Sequence, residues 1–242
     1  MFTIVNVVHS PELGRRERRR EERAGQILDV ALRLIDEGGL EGLTVHRLAE
    51  ELGYVPGALY RYFASKDALV AALQARMVAG LHARFRAAQA YPLPPNLDAR
   101  ARALVRLVRA ARSYLALPRV APEEFRLLAL LAGDPRPLVS DDEAGRVAGP
   151  LLELLSEVSE LFERAARRHA LRHGDARDRT LVFWSSLHGA CQLEKLARFD
   201  RASFDVARLG ESVMTALLLG WGADGAALER AAREERRGGA SC

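Results

Sequence analysis

Cysteine is nearly absent: Cys191 and the final residue, Cys242, are the only two in 242 residues. Two thiols make neither a disulfide framework nor a zinc ligand set, and the scarcity fits a reducing compartment. Cys191 lies in an apolar helical stretch and reads as an inert core thiol. Aromatic residues are also few, at 6% of the chain. No stretch approaches the ~20 apolar residues of a membrane span. The apolar start, Met1–Val8, has no basic residue before it and no small-residue cleavage site, so it does not read as a secretory signal. A cytoplasmic chain without a membrane partner is expected. Runs of alternating β-branched residues are missing, which argues against a sheet. Neither sign of charge dominates: 36 basic against 32 acidic residues give +4, and Met1 to Lys66 holds ten of each. Basicity therefore carries no inference of nucleic-acid binding. Also missing are a Gly-rich phosphate loop, a nucleophile elbow and a carboxylate pair in a recognisable frame, so neither an enzyme nor a cofactor is expected. His169 and His173 are four apart, but no third ligand is spaced with them and Arg167, Arg168 and Arg172 surround them. No metal site is expected.

What is present in quantity is alanine, leucine and arginine, all strong helix formers. The chain is long enough to bury a large core in one or two domains. The most informative stretch is Leu43 to Leu69, LTVHRLAEELGYVPGALYRYFASKDAL. Thr44 is placed to cap a short helix whose apolar face is Leu48, Ala49 and Leu52. Gly53 follows the last apolar residue, where a left-handed cap favours a residue without a Cβ. Pro56 suits the first turn of a new helix, with Leu59 and Phe63 as its buried side. Ser65 is placed to cap the next helix, with Asp67 in its first turn. Two helices around a short Gly-containing turn form the layout that puts the second helix into the DNA major groove.

This segment, with the apolar helix before it (Ile27, Leu28, Ala31, Leu34, Ile35, ending at Gly38-Gly39), resembles the DNA-binding domain of the TetR family of bacterial regulators. The matching positions run through Leu43-Thr44-Val45, Leu48-Ala49, Leu52-Gly53, Gly57-Ala58-Leu59-Tyr60, Tyr62-Phe63 and Ser65-Lys66. The resemblance implies an all-α fold of about nine to ten helices. It would comprise an N-terminal three-helix helix-turn-helix DNA-binding domain and a C-terminal helical effector-binding and dimerisation domain. The divisions expected are a flexible basic extension over 1–20, the DNA-binding domain over 21–68, the effector and dimerisation domain over 69–222, and an Arg/Glu-rich tail over 223–242.

Beyond the motif, a helix is expected from Ser65 to about Gln89, broken by the proline-rich stretch Tyr91 to Asn96. Others are expected over 98–117, 122–132 and 150–173, with 133–149 read as a mobile loop around Asp141-Asp142-Glu143. Two long helices, about 177–199 and 204–221, carry small and apolar residues on more than one face. By the resemblance they pair with their copies as a homodimer interface; ordinary internal core is the alternative. The tail reads as a frayed helix.

Carried over residue by residue, the resemblance implicates Thr44, His46, Arg47, Pro56, Gly57, Ala58, Tyr60, Arg61, Tyr62 and Lys66 in contact with a double-stranded DNA operator. Thr44 and Lys66 sit at helix starts, where free N–H groups favour phosphate. Tyr60 and Tyr62 offer hydroxyls for phosphate contacts that position without reading sequence. The family's small polar cap is replaced here by Val55, and the tip of the recognition helix lacks a long polar side chain. Base reading is therefore expected from His46, Arg47 and Arg61, with Pro56 or Ala58 against thymine methyls. The cluster Arg15, Arg16, Arg18, Arg19, Arg20 and Arg23 reads either as an arm along phosphates or as the solvated start of the first helix, since Glu17, Glu21 and Glu22 lie among the arginines.

In the C-terminal half, Trp184, His188 and Gly189 form a Trp-x-x-x-His-Gly pattern similar to that of a sub-branch of TetR-like C-terminal domains. One helical turn apart, Trp184 and His188 either line an effector pocket or are packed core with the imidazole satisfied by a carbonyl. Tyr114, Phe125 and Phe162 are further pocket candidates. The expected function is a homodimeric repressor released from its operator by a small apolar or amphipathic effector. A TetR-like activator and a helical ligand-binding protein without DNA binding are the alternatives.

Overall fold

The computed structural model describes residues 11–133, 137 and 139–239, and among them every regular element is helical. The chain divides into two compact units, one within 1–73 and 134–144, the other within 74–133 and 145–242.

The first unit is built on α1 (Pro11–Gly42), α2 (Val45–Leu52), α3 (Pro56–Leu59) and the start of α4 (Lys66–Ala90). The spacing of apolar residues in α1 puts Ile27, Ala31, Leu34 and Ile35 on one buried stripe, closed by Leu43, Leu48, Leu59 and Leu69. Each fully buried leucine or isoleucine contributes about 1.5–3 kcal/mol relative to an exposed one. α1 kinks at Gly39, whose φ of 64° is a conformation that only glycine adopts at little cost. Residues 11–20, expected to belong to a flexible extension, form the first turns of α1; residues 1–10 of that extension lie outside the described residues. Arg15 to Ala24 are ten consecutive good helix formers, and they carry the helix back past Gly14 to Pro11.

In the second unit α5 (Ala99–Leu115) is central: Val105, Leu107, Val108 and Ala111 are completely buried. Asp98 caps it, accepting from the Ala101 N–H at 2.8 Å. After α6 (Leu117–Val120) and α7 (Pro122–Gly133) come α8 (Asp141–Arg167), α9 (Ala176–Gln192) with a 3-10 turn at Leu193–Leu196, α10 (Val206–Gly220) and α11 (Gly225–Gly239). Phe162 is packed edge-on against Phe183 and Trp221, each at 5.4 Å and 5.4 Å between ring centroids. α10 reaches α5 at Gly210, where a Cβ would lie 2.4 Å from Leu115.

Several expectations are corrected here. The loop over 133–149 is helical from Asp141, because Asp141, Asp142 and Glu143 occupy a first turn whose free N–H groups favour negative charge. Pro150 lies inside that helix instead of opening it. The same helix stops at Arg167, not near residue 173: His169 takes a left-handed φ of 54°, and the amides of Ala170 and His169 bond back to Ala165 and Ala166 at 2.8 and 2.9 Å. That is a Schellman stop made without glycine. The frayed tail is instead α11, which buries Leu228, Ala231 and Ala232 against α5. Likewise the helix expected over 177–199 gives way to a tight turn after Gln192.

Candidate DNA interface and effector site

The turn between α2 and α3 forms as its residues dictate. Thr44 Oγ1 accepts from the Arg47 N–H at 3.1 Å, and Gly53 takes φ 65° with its N–H returned to the end of α2. Ser65 caps α4 through the Ala68 N–H at 3.0 Å. α3 is only one turn long; from Tyr60 to Phe63 the chain continues in tight turns, with Tyr62 N–H to the Leu59 carbonyl at 2.9 Å. Val55 is 72% exposed and gives α3 no side-chain cap. Its extended backbone, φ −76° and ψ 142°, is already that of a cap residue. Val55→Ser is therefore expected to raise stability by about 1 kcal/mol, read as a higher midpoint in urea unfolding.

Of the ten residues implicated in DNA contact, Thr44, His46, Pro56, Gly57, Tyr60, Arg61 and Lys66 are exposed and Arg47, Ala58 and Tyr62 half-buried. Arg47 is already engaged: its Nη2 donates to Glu37 at 2.7 Å, and its guanidinium lies beside Gly38 and Gly42 at the end of α1. Lys66 Nζ donates to the Leu40 carbonyl at 3.2 Å, tying the start of α4 to the α1–α2 connection. Two arginines of the basic cluster also brace the motif. Arg20 donates to the Arg61 carbonyl at 3.2 Å and Arg23 to the Tyr54 hydroxyl at 3.2 Å.

In the second unit, four of the five pocket candidates meet. Trp184 stacks on His188 at 5.7 Å, Phe125 lies 5.7 Å from the same ring, and the Tyr114 hydroxyl is 2.9 Å from His188 Nδ1. Phe162 does not join them; its place is the core beside Phe183 and Trp221. Gln192, one turn beyond His188, is the member that sequence reading missed, although the i, i+4, i+8 spacing from Trp184 was available. Its Nε2 donates to the Ala129 carbonyl at 3.4 Å and faces His188 Nε2 at 3.1 Å. An amide NH₂ donates to both, so His188 Nε2 accepts and its proton sits on Nδ1, donating to Tyr114. The Tyr114 oxygen also accepts from Trp184 Nε1 at 3.1 Å. With both lone pairs taken, the Tyr114 hydroxyl hydrogen is left to find a further acceptor.

Burial pushes the Tyr114 phenol well above its ordinary range and lowers the His188 imidazole below its own. The Cys191 thiol is pushed up to about 12, chiefly by burial, which agrees with an inert core thiol. For His188 the sign follows from linkage. Below pH ~6.5 the unfolded chain takes up a proton that the fold resists, so stability falls from there down to the folded pKa, by at most ~1.4 kcal/mol per pH unit. His188→Gln is expected to flatten the decline in melting temperature between pH 7 and pH 5.

His82, Glu153 and Glu157 bring three ligand-type groups together, with His82 Nε2 3.1 Å from Glu157. The Arg86 guanidinium already bridges both carboxylates, reaching Glu153 at 2.8 Å and bonding Glu157 as well; its hydrogen bond, with that of His82, draws the Glu157 carboxyl below its ordinary value. The group is an ion-pair network.

Two family models match: "Bacterial regulatory proteins, tetR family" over residues 27–73 and "Tetracyclin repressor-like, C-terminal domain" over 107–217. The chain belongs to the TetR family. Its N-terminal part is 40% identical over 73 residues to the HTH-type transcriptional regulator BetI of Burkholderia thailandensis, a match covering 30% of this chain and 35% of BetI. The chain thus spans about a third of the length of the curated relatives it matches. The fold of this TetR-family chain is shared with a transcriptional regulator from Agrobacterium tumefaciens at 21% identity, TM-score 0.61, covering 84% of this chain and 98% of that one. It is also shared with FadR of Bacillus subtilis, solved with stearoyl-CoA, at 16% identity, TM-score 0.63, covering 80% and 96%. Among the described residues no helix is long and apolar enough to cross a membrane.

Proposed function

We propose that this TetR-family chain is a homodimeric transcriptional repressor that binds a two-fold symmetric DNA operator through α2 and α3 and leaves it when a small amphipathic effector occupies the second unit. The observation carrying the reading is the α2–turn–α3–α4 motif, capped at Thr44, Gly53 and Ser65, whose outer residues are exposed and bare. Base reading is assigned to His46 and Arg61, and to Arg47 once the duplex displaces its exposed pair with Glu37. Tyr60, Tyr62, Lys66 and the amides at the start of α2 are assigned to phosphate.

Support for the dimer is an uncovered apolar face on the packed pair α9 and α10. Leu181 and Val182 are 49% and 45% exposed, and Leu219 is 43% exposed. Gly189, Ala216 and Gly220 are exposed beside them, and small residues permit close helix approach across a two-fold axis. For the effector, the support is the Tyr114–His188–Trp184–Gln192 network, aromatic area with one spare hydroxyl donor. The stearoyl-CoA bound to Bacillus subtilis FadR, a neighbour in fold, favours an amphipathic ligand. An effector acts only through its difference in affinity between the DNA-competent and incompetent states.

The test is capture of genomic fragments by the purified full-length protein at low salt, followed by titration with salt. Enrichment of a discrete fragment whose affinity falls steeply with salt is expected. Enrichment of nothing above random fragments would overturn the reading.

A further inference from the structure

Beside the α4–α5 connection the second unit has a groove of about 860 Å³, separate from the Tyr114–His188 cluster. Its walls carry five arginines, Arg102 and Arg106 from α5 and Arg164, Arg167 and Arg168 from the end of α8, with no carboxylate among the lining residues. Its floor is apolar, including Leu93, Leu97 and Ala103. Arginine supplies 34 of the chain's 36 basic residues, so the residue type itself carries no weight. The weight lies in five of them lining one groove to which none of the chain's 32 acidic residues contributes a wall.

Their existing partners leave the groove positive. Among the described residues Arg102 donates only to the carbonyls of Leu97 and Pro95, and Arg106 only to the carbonyl and side chain of Gln89. Arg168 has no side-chain partner among the described residues. Arg164 and Arg167 pair with Glu160 and Glu163 one turn back on α8, exposed i, i+4 contacts of small worth that break readily. Asp98, the nearest carboxylate in sequence to Arg102, accepts from the Ala101 N–H as the cap of α5. Burial, with the charges of Arg109 and Arg164 added, draws the Arg106 guanidinium below its ordinary value. Like charges gathered in a concave, partly desolvated site focus a positive potential and favour an anion that neutralises several at once.

We propose that this groove binds a small molecule bearing clustered phosphates, a diphosphate held by the guanidinium forks with its apolar portion against Leu93 and Leu97. Guanidinium forks match phosphate oxygens in pairs, so two adjacent phosphates engage several of the five arginines. The volume is that of a small-molecule site and the opening is concave, whereas a duplex needs an extended stripe. The site stands apart from the DNA-binding reading, and its test uses no DNA.

The experiment is calorimetric titration of the full-length protein with inorganic pyrophosphate and, separately, with ADP, against sodium chloride at matched ionic strength. Saturable binding of both is expected, tighter for ADP if the apolar floor contributes, and weakened as salt rises. Arg167→Ala/Arg168→Ala, which removes two exposed guanidinium groups, is expected to weaken pyrophosphate by about a hundredfold, roughly tenfold for each. The double Arg→Lys variant keeps the charge but loses the forks, and its affinity is expected to fall between those of the wild type and the alanine variant. Arg168→Ala alone, which severs no bond in the fold, decides the matter should the double variant melt early. No saturable heat up to millimolar pyrophosphate, or equal affinity in wild type and the alanine variants, would overturn the proposal.

Discussion

Gly57→Glu is expected to weaken binding to the captured operator fragment by a hundredfold or more, while leaving the thermal transition within a degree or two of wild type. Gly57 is exposed at the tip of α3, and a Cβ built there meets nothing within 4 Å. A glutamate near a helix start is electrostatically welcome, so the change in stability should stay within about 0.5 kcal/mol. On the duplex the same side chain does two unfavourable things. Under the proposed function it would fill the space through which a bare backbone approaches the groove floor, and it would bring a carboxylate into a field of phosphates. A hundredfold loss is about 2.7 kcal/mol, the scale expected for one desolvated like-charge contact. Fluorescence anisotropy with the labelled fragment, beside a thermal melt of the same preparation, checks both halves. Affinity within threefold of wild type would remove α3 from the interface.

Glu235→Ala is expected to destabilise the protein by about 3 kcal/mol, although the residue lies in the Arg/Glu-rich last helix. Arg109, in the middle of α5, has a side chain only 5% exposed. Glu235 on α11 accepts from its Nε at 3.0 Å, while Nη1 donates to the Ala88 and Tyr91 carbonyls at 3.2 and 2.6 Å. Removing the carboxylate leaves a buried guanidinium with carbonyls alone, and breaking such a pair costs about 3–5 kcal/mol. The lower end applies because Glu235 keeps 15% of its surface. Glu229→Ala on the same helix breaks an exposed pair with Arg233 and should cost less than about 0.5 kcal/mol. Urea midpoints separate the two; equal midpoints would mean that α11 does not hold α5.

The same pair shows which parts of this molecule could be read from sequence. Caps are local: Thr44, Gly53 and Ser65 each act within three or four residues of their own position, and each acts as its residue type dictates. The second unit is held by pairs that have no local signature. Arg109 and Glu235 are 126 residues apart, and Arg112 and Glu211 are 99 apart. An Arg/Glu-rich tail looks solvated until the buried arginine facing it is known. The α8 boundaries differ from those the sequence suggests for a related reason. Acidic residues and glycine look like loop, yet three acids in succession also suit a helix start, and a left-handed histidine can end a helix where glycine was sought. At the candidate sites the pattern repeats. Trp184 and His188 share a face because they share a helix, whereas Tyr114 joins them only through the fold. Arg47 and Glu37, ten residues apart on α2 and α1, likewise meet only through the fold.

The central claim is that two copies of this chain read a symmetric operator, and hydroxyl-radical footprinting of the captured fragment tests it most directly. The account predicts two protected half-sites related by a two-fold axis, with their centres one helical turn or a small multiple apart. Weak protection without symmetry, equal on captured and random fragments, would contradict it.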